Sequence, residues 1–230
     1  MRTIGLIGGM SWESTIPYYR IINETVQARL GGLHSARLAL VSVEFQELAE
    51  RQHADDWDGA GRILADAGRA LAAAGAGCLV ICANTMHKVA AAAEAASGLP
   101  VLHIADVTGR AARDRGLATV GLLGTRFTMA EPFYRDRLGE RFGLRTLVPD
   151  RPDQEALHGI IFDELCRGRI LQPSRDFLLG LIDRLAAAGA EGVILGCTEL
   201  PLLVAPEDVS LPLLDTTRLH AEAAAEWALS

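Results

Sequence analysis

The sequence predicts an open α/β fold with parallel sheets, built as two similar halves. Three observations carry this expectation. Short β-rich apolar runs alternate with longer Ala-, Leu- and Arg-rich stretches of helical period, the pattern of parallel strands joined by crossover helices. Four segments of the first half recur, in the same order, in the second half. In each half the most apolar strand runs straight into a short polar turn, the place where open sheets leave a ligand crevice.

Taken along the chain, strands are expected at Thr3–Gly8, Arg37–Val43, Gly77–Cys82, Val101–Ile104, Thr119–Leu123, Arg145–Val148, Gly192–Gly196 and Leu213–Leu214. Helices are expected to begin near Ser14, Trp57, His87, Ala105, Thr128, Asp153, Pro173 and Asp215. Nothing rich in Pro, Gly or Ser separates them as a linker.

The repeat is the most informative feature. RTIGLIGG (Arg2–Gly9) reads against ATVGLLGT (Ala118–Thr125), and PYYR (Pro17–Arg20) against PFYR (Pro132–Arg135). AAAGAGCLVICANT (Ala72–Thr85) reads against AAAGAEGVILGCTE (Ala186–Glu199), and LPVL (Leu99–Leu102) against LPLL (Leu211–Leu214). Ordered matches at a nearly constant offset indicate internal duplication. They divide the chain into a first lobe of residues 1–98 plus 211–230 and a second of residues 99–210. The active site is expected in the inter-lobe cleft, lined by symmetric strand ends.

Composition narrows the partners. Of 230 residues, 50% are hydrophobic and 22% charged, a globular balance. The formal charge of −7 comes without any run of Lys or Arg, so neither nucleic acid nor an anionic membrane finds a basic footprint. No apolar run is long enough to span a bilayer, and the N-terminal stretch lacks a cleavage site where a signal peptide needs one. Four cysteines without framework spacing suit free thiols and a cytoplasmic setting. The six histidines form neither HxH nor HxxxH, and no metal is expected. GLIGGM lacks dinucleotide-site spacing and reads as a turn that lets backbone approach a small ligand.

Chemistry is expected at the strand ends. Cys197 follows the apolar strand directly and precedes Thr198 and Glu199 at a predicted helix N-terminus, a location that favours thiolate. A thiolate can take a proton from a carbon acid, whereas a free cysteine can equally well fill space in a core. In the repeat, Cys197 aligns with Ala83 and Gly196 with Cys82, so the first half carries its cysteine one position early. Side chains alternate across a strand, which turns Cys82 into the core. Asn84, Thr85, Thr198 and Glu199 can cap the helices that follow or hold a substrate. His87 and Lys88 read as a solvated pair.

At these motifs the chain resembles the aspartate/glutamate racemase superfamily, cofactor-independent enzymes that work without pyridoxal phosphate. The resemblance rests on IGLIGGMSWEST (Ile4–Thr15), ANTMHK (Ala83–Lys88), LLGTRFTM (Leu122–Met129) and GCTELPLL (Gly196–Leu203). It implies two pseudo-symmetric Rossmann-like lobes, usually as a homodimer, with one acid/base residue from each lobe on opposite faces of an α-carbon. Carried over by residue, Cys197 is the second-lobe acid/base. Asn84, Thr85 and Thr198 match substrate-holding turns, and Met10 matches the N-terminal glycine turn; Thr125 and Glu199 are further candidate substrate contacts by their place at the strand ends.

Two departures matter. Ala83 stands where the resemblance implies the partner acid/base, and alanine carries no proton. Three accounts fit: a residue changed to trap substrate, a natural one-cysteine enzyme, or a water or other side chain in its place. In FDELCRGR (Phe162–Arg169), Cys166 occupies the place of a basic residue implied to hold a distal carboxylate, which leaves Gln52 as the polar contact from the other lobe and Arg51 less suited. The leading expectation is therefore an amino-acid racemase acting on a small amino acid, impaired by Ala83. The alternatives are a one-cysteine decarboxylase or cis–trans isomerase of small acids, and a non-catalytic amino-acid-binding protein.

Overall fold

The computed structural model describes residues 1–230. The chain forms two compact units, Met1–Ile104 with His220–Ser230, and Ala105–Leu219. In the first unit the order is β1 (Ile4–Gly8), α1 (Trp12–Leu30), β2 (Leu38–Ser42), α2 (Phe45–His53), α3 (Trp57–Ala73), β3 (Cys78–Ile81), a 3-10 turn (Thr85–Val89) and α4 (Ala90–Ser97). Its parallel sheet has the order β2-β1-β3, extended by a single bridge from Leu79 to Val101.

The second unit runs through α5 (Ile104–Asp114), β4 (Thr119–Gly124), α6 (Arg126–Ala130), α7 (Pro132–Phe142), β5 (Arg145–Leu147) and α8 (Arg151–Gly159). After a π-helical turn (Ile160–Glu164) come α9 (Gln172–Ala187), β6 (Gly192–Gly196), β7 (Leu213–Asp215) and α10 (Thr216–Leu229), which from His220 onward, with Ser230, returns to the first unit. Its sheet is also parallel, in the order β5-β4-β6-β7. Both units thus repeat one plan, with the central strands β1 and β4 flanked by β3 and β6.

Full burial explains the apolar strands. Every residue of β1, β3 and β6 is buried, as expected when helices cover both faces of a parallel sheet. On one face of the first sheet, Ile4, Leu6, Cys78, Val80 and Cys82 pack on Tyr18, Ile22 and Val26 of α1 and on Ala221, Ala224 and Ala225 of α10. On the other, Ile7, Leu79, Ile81 and Ala83 meet Leu64, Ala67 and Leu71 of α3 and Ala90 and Ala93 of α4. Cys82 and Ala83 therefore lie on opposite faces, as alternation demands. In the second unit, Val193, Leu195 and Cys197 share a face against Leu157 of α8 and Leu178, Leu181 and Ile182 of α9. Cys197 and Ala83 hold the same place in their own sheets.

Several expectations change. The units divide at 104/105 and 219/220, whereas the repeat predicted 98/99 and 210/211. Residues 99–104 stay with the first unit because Leu79 donates its N–H to Pro100 and accepts from Leu102. Residues 211–219 stay with the second because β7 pairs with β6. The strand expected at Val101–Ile104 shrinks to one bridge, since Ile104 already begins α5. Helix α2 was not expected; Glu44 starts it by accepting from the N–H groups of Gln46 and Glu47. A single helix from Thr128 is instead split, because Pro132 begins α7 and holds Glu131 in an extended conformation.

Candidate active site

The glycine turn after β1 is built by packing. Gly9 has φ +91°, and a Cβ there would lie 2.3 Å from the Val43 carbonyl oxygen. Only glycine fits such a conformation and approach. The Gly9 N–H donates to Thr15 Oγ1 at 2.9 Å, and the Thr15 and Ser14 hydroxyls both donate to the Ser11 carbonyl. Close backbone approach here serves β2 and its following loop. Met10 is buried on the α3 side of the sheet, in the same cluster as Ala83 and Met86.

Gln52, near the end of α2, is buried and directs Nε2 at the Met86 sulfur, 2.9 Å away. It thereby reaches the turn that carries Ala83, Asn84 and Thr85, all buried. The neighbouring Arg51 guanidinium is held by Glu47 at 2.8 Å and Asp56 at 2.7 Å. Asn84 is helical in backbone conformation and makes no side-chain cap bond. The helix expected to open at His87 is a 3-10 turn, and α4 begins only at Ala90. The solvated-pair reading of His87 and Lys88 is overturned: His87 is buried, and the Lys88 ammonium lies 3.7 Å from the centre of the Trp57 ring.

In the second unit, Thr125 follows β4 and caps α6, its Oγ1 accepting from the Thr128 N–H at 3.3 Å. Cys197, Thr198 and Glu199 follow β6 and are all buried. The Cys197 thiol donates to Glu199 Oε2 at 3.1 Å, and the Thr198 hydroxyl donates to the same oxygen at 2.7 Å. The other carboxylate oxygen accepts from the half-buried Cys166 thiol at 3.8 Å. Irregular winding over Ile160–Arg167, first π and then 3-10, presents Cys166 to that contact. Arg167, by contrast, is exposed and faces Asp163.

The expected helix N-terminus at Cys197 is absent, since only a three-residue 3-10 turn, Leu200–Leu202, follows. The thiol is not primed as thiolate. Burial pushes it well above the ordinary range, and the nearby Glu199 and Cys166 push the same way; a hydrogen bond with the Glu199 backbone opposes them. A neutral thiol aimed at a buried carboxylate is a proton donor at rest.

Cys197, Thr198 and Glu199 lie after β6, where the sequence puts them, but three contacts are not legible in it: His87 with the Ala83 carbonyl, Cys166 as a Glu199 donor, and Met86 under Gln52. His87 had one local signal, its four-residue spacing from Ala83, which suits a bond from a side chain to a preceding carbonyl.

The sequence model of the Asp/Glu/hydantoin racemase family matches residues 7–224. The chain belongs to this family. An Asp/Glu racemase-type protein from Yersinia pestis is 53% identical, with all of both chains covered and a TM-score of 0.92. An aspartate racemase homologue from Pyrococcus horikoshii OT3 is 35% identical, again with all of both chains covered, and has a TM-score of 0.85. Arylmalonate decarboxylase, at 17% identity, 98% and 92% coverage and a TM-score of 0.55, shares the fold alone. At position 83 the chain carries alanine. The repeat equivalent of Cys197 is a methyl group buried among Met10, Ile81 and Met86.

Proposed function

We propose that this racemase-family chain moves the α-proton of a small amino acid without a cofactor, with Cys197 as the acid/base group. The observation that carries the reading is the Cys197–Glu199 pair, a thiol at a strand end whose proton already points at a buried carboxylate. In the forward step the thiol proton passes to Glu199. The thiolate then takes the α-proton, and the released electron pair spreads into the substrate carboxylate. Sulfur trades the abstracted hydrogen for one from solvent and delivers that one to the carbanion on the same face; Glu199 then returns its proton to the thiolate, which completes exchange. Thr198 orients Glu199 by donating to the same oxygen that receives the thiol. Met10, Gln52, Asn84, Thr85 and Thr125 are the proposed substrate contacts. The same reading has the enzyme act as a cytoplasmic homodimer, with neither metal nor pyridoxal phosphate.

Inversion needs a second proton carrier on the opposite face of the α-carbon, and Ala83 supplies none. The reading is therefore one-sided: Cys197 removes and returns the proton on one face, so exchange proceeds with retention. Ala83 also supports a second reading, a one-cysteine decarboxylase that protonates a carbanion from one face. Solvent-deuterium incorporation tests both. One enantiomer of a suitable amino acid should acquire α-deuterium while keeping its configuration. Release of carbon dioxide from a disubstituted malonate, without amino-acid exchange, would decide for the decarboxylase. Neither outcome across a broad panel would leave a binding protein.

A further inference from the structure

The first unit contains a histidine cluster to which the chemistry above assigns no part. His87 and His103 have ring centres 4.6 Å apart, and His87 and His220 have ring centres 5.6 Å apart. His220 in turn meets Tyr18 edge-on. The hydrogen bonds dictate the protonation of both buried rings. His87 Nε2 accepts from the Ile104 backbone N–H at 3.2 Å, so Nδ1 must carry the proton that it gives to the Ala83 carbonyl at 2.8 Å. His220 Nε2 faces the Leu102 carbonyl at 2.6 Å, so its proton sits there, and Nδ1 accepts from the Tyr18 hydroxyl at 2.8 Å. A second proton on His87 would set an N–H against the Ile104 N–H.

The attachment points are specific. Ala83 opens the turn that carries Asn84 and Thr85. Ile104 is the last residue of the first unit before the chain crosses to the second, and His220 is the first residue after it returns.

We propose that His87 is a positioning residue for the substrate turn: as a neutral Nδ1–H imidazole it fixes the Ala83 carbonyl and ties the turn to the Ile104 crossing. The proposal rests on the α-proton chemistry above. Burial, then the facing His103 and His220, holds His87 well below the ordinary imidazole value, so it stays neutral through the physiological range. Tyr18 is the remaining titratable group of the cluster and is reached through His220.

Two amides separate the two bonds. In His87→Asn, the side-chain N–H₂ stands where Nδ1 stands and keeps the Ala83 bond. In His87→Gln, the side-chain oxygen reaches the Ile104 N–H and the Ala83 bond is lost. With aspartate, glutamate, asparagine and alanine as probes, His87→Gln should raise KM about fivefold, the loss of one hydrogen bond, with kcat little changed. His87→Asn should stay within about twofold of the parent. Equal effects of the two variants, in either direction, would overturn the proposal.

Nitrogen–proton NMR of the parent provides a second readout and does not depend on any variant folding. His87 should show the Nδ1–H form from about pH 8 to about pH 5, whereas titration near the ordinary value overturns the proposal. Should no amino acid exchange in the parent, the proposed activity fails by itself. The carbonyl-carbon shift of Ala83 then decides for His87: a change in the Gln variant but not in the Asn variant supports it, and no difference overturns it.

Discussion

At the scale of single residues, reactivity at Cys197 is set by its surroundings rather than by cysteine's intrinsic acidity. Glu199 has two opposed effects on the thiol: its charge raises the thiol pKa, and its oxygen provides a place for the thiol proton. Glu199→Gln separates them. Removing the charge should lower the Cys197 pKa, so alkylation by iodoacetamide at fixed pH becomes faster than in the parent. Losing the proton acceptor should nonetheless slow α-proton exchange by about tenfold or more. Faster alkylation with unchanged exchange would remove Glu199 from the mechanism. Cys197→Ser should cost about a hundredfold or more in exchange with the fold intact, because a hydroxyl is a far weaker base. Ala83→Cys should convert exchange with retention into interconversion of enantiomers, read as loss of optical rotation. The same experiment on Cys82→Ala should change little, since that thiol lies on the α1 side of the sheet, where burial alone pushes it up.

At the scale of elements, close approach of backbones decides which strand ends can carry a site. Gly124 ends β4 beside Gly196, which ends β6. A Cβ on Gly124 would come within 2.6 Å of the Gly196 carbonyl oxygen, and one on Gly196 within 2.9 Å of the Leu123 carbonyl oxygen. Backbone cannot yield there as a flexible side chain would. Gly124→Ala should therefore destabilise the fold by about 2 kcal/mol, measured by denaturant unfolding, and should displace Cys197, the residue after Gly196. Periodicity made β1, β4 and β6 legible, because buried parallel strands are unbroken apolar runs. The turns after β3 and β6 were harder. Capping residues there suggested α-helix, yet tertiary packing winds Thr85–Val89 and Leu200–Leu202 as 3-10 turns. The expected dipole assistance to Cys197 fails with that helix.

At the scale of the whole molecule, the chain crosses between units twice, and the buried histidines bind the segments at both crossings. Burial lowers His220 from the ordinary 6.5 to about 4, and burial also holds His87 well below its ordinary value. Both are depressed bases, so the unfolded chain binds more protons than the folded one in the intervening range. The His220 contribution to stability is therefore complete above about 6.5 and falls as pH drops toward 4, by up to about 1.4 kcal/mol per pH unit, and His87 acts in the same direction. Denaturant midpoints measured across that window should decline on acidification, and His220→Gln should flatten the decline. A slope unchanged by that substitution would show that His220 takes no part in the acid transition.

The sequence by itself determined the duplicated parallel α/β plan, the resemblance to the racemase family, the alternation that separates Cys82 from Ala83, and Cys197 as the residue at the end of β6. Each follows from local period or from an ordered repeat, which need no knowledge of distant partners. Only the tertiary structure decided that His87 is a buried neutral ring joined to Ala83 and Ile104, that Glu199 gathers the Cys197, Thr198 and Cys166 protons, and that the units divide at 104/105 and 219/220. Burial and hydrogen bonding between residues far apart in the chain set those outcomes. The same polar residue types occur on solvated faces, so sequence pattern alone could not separate the two cases.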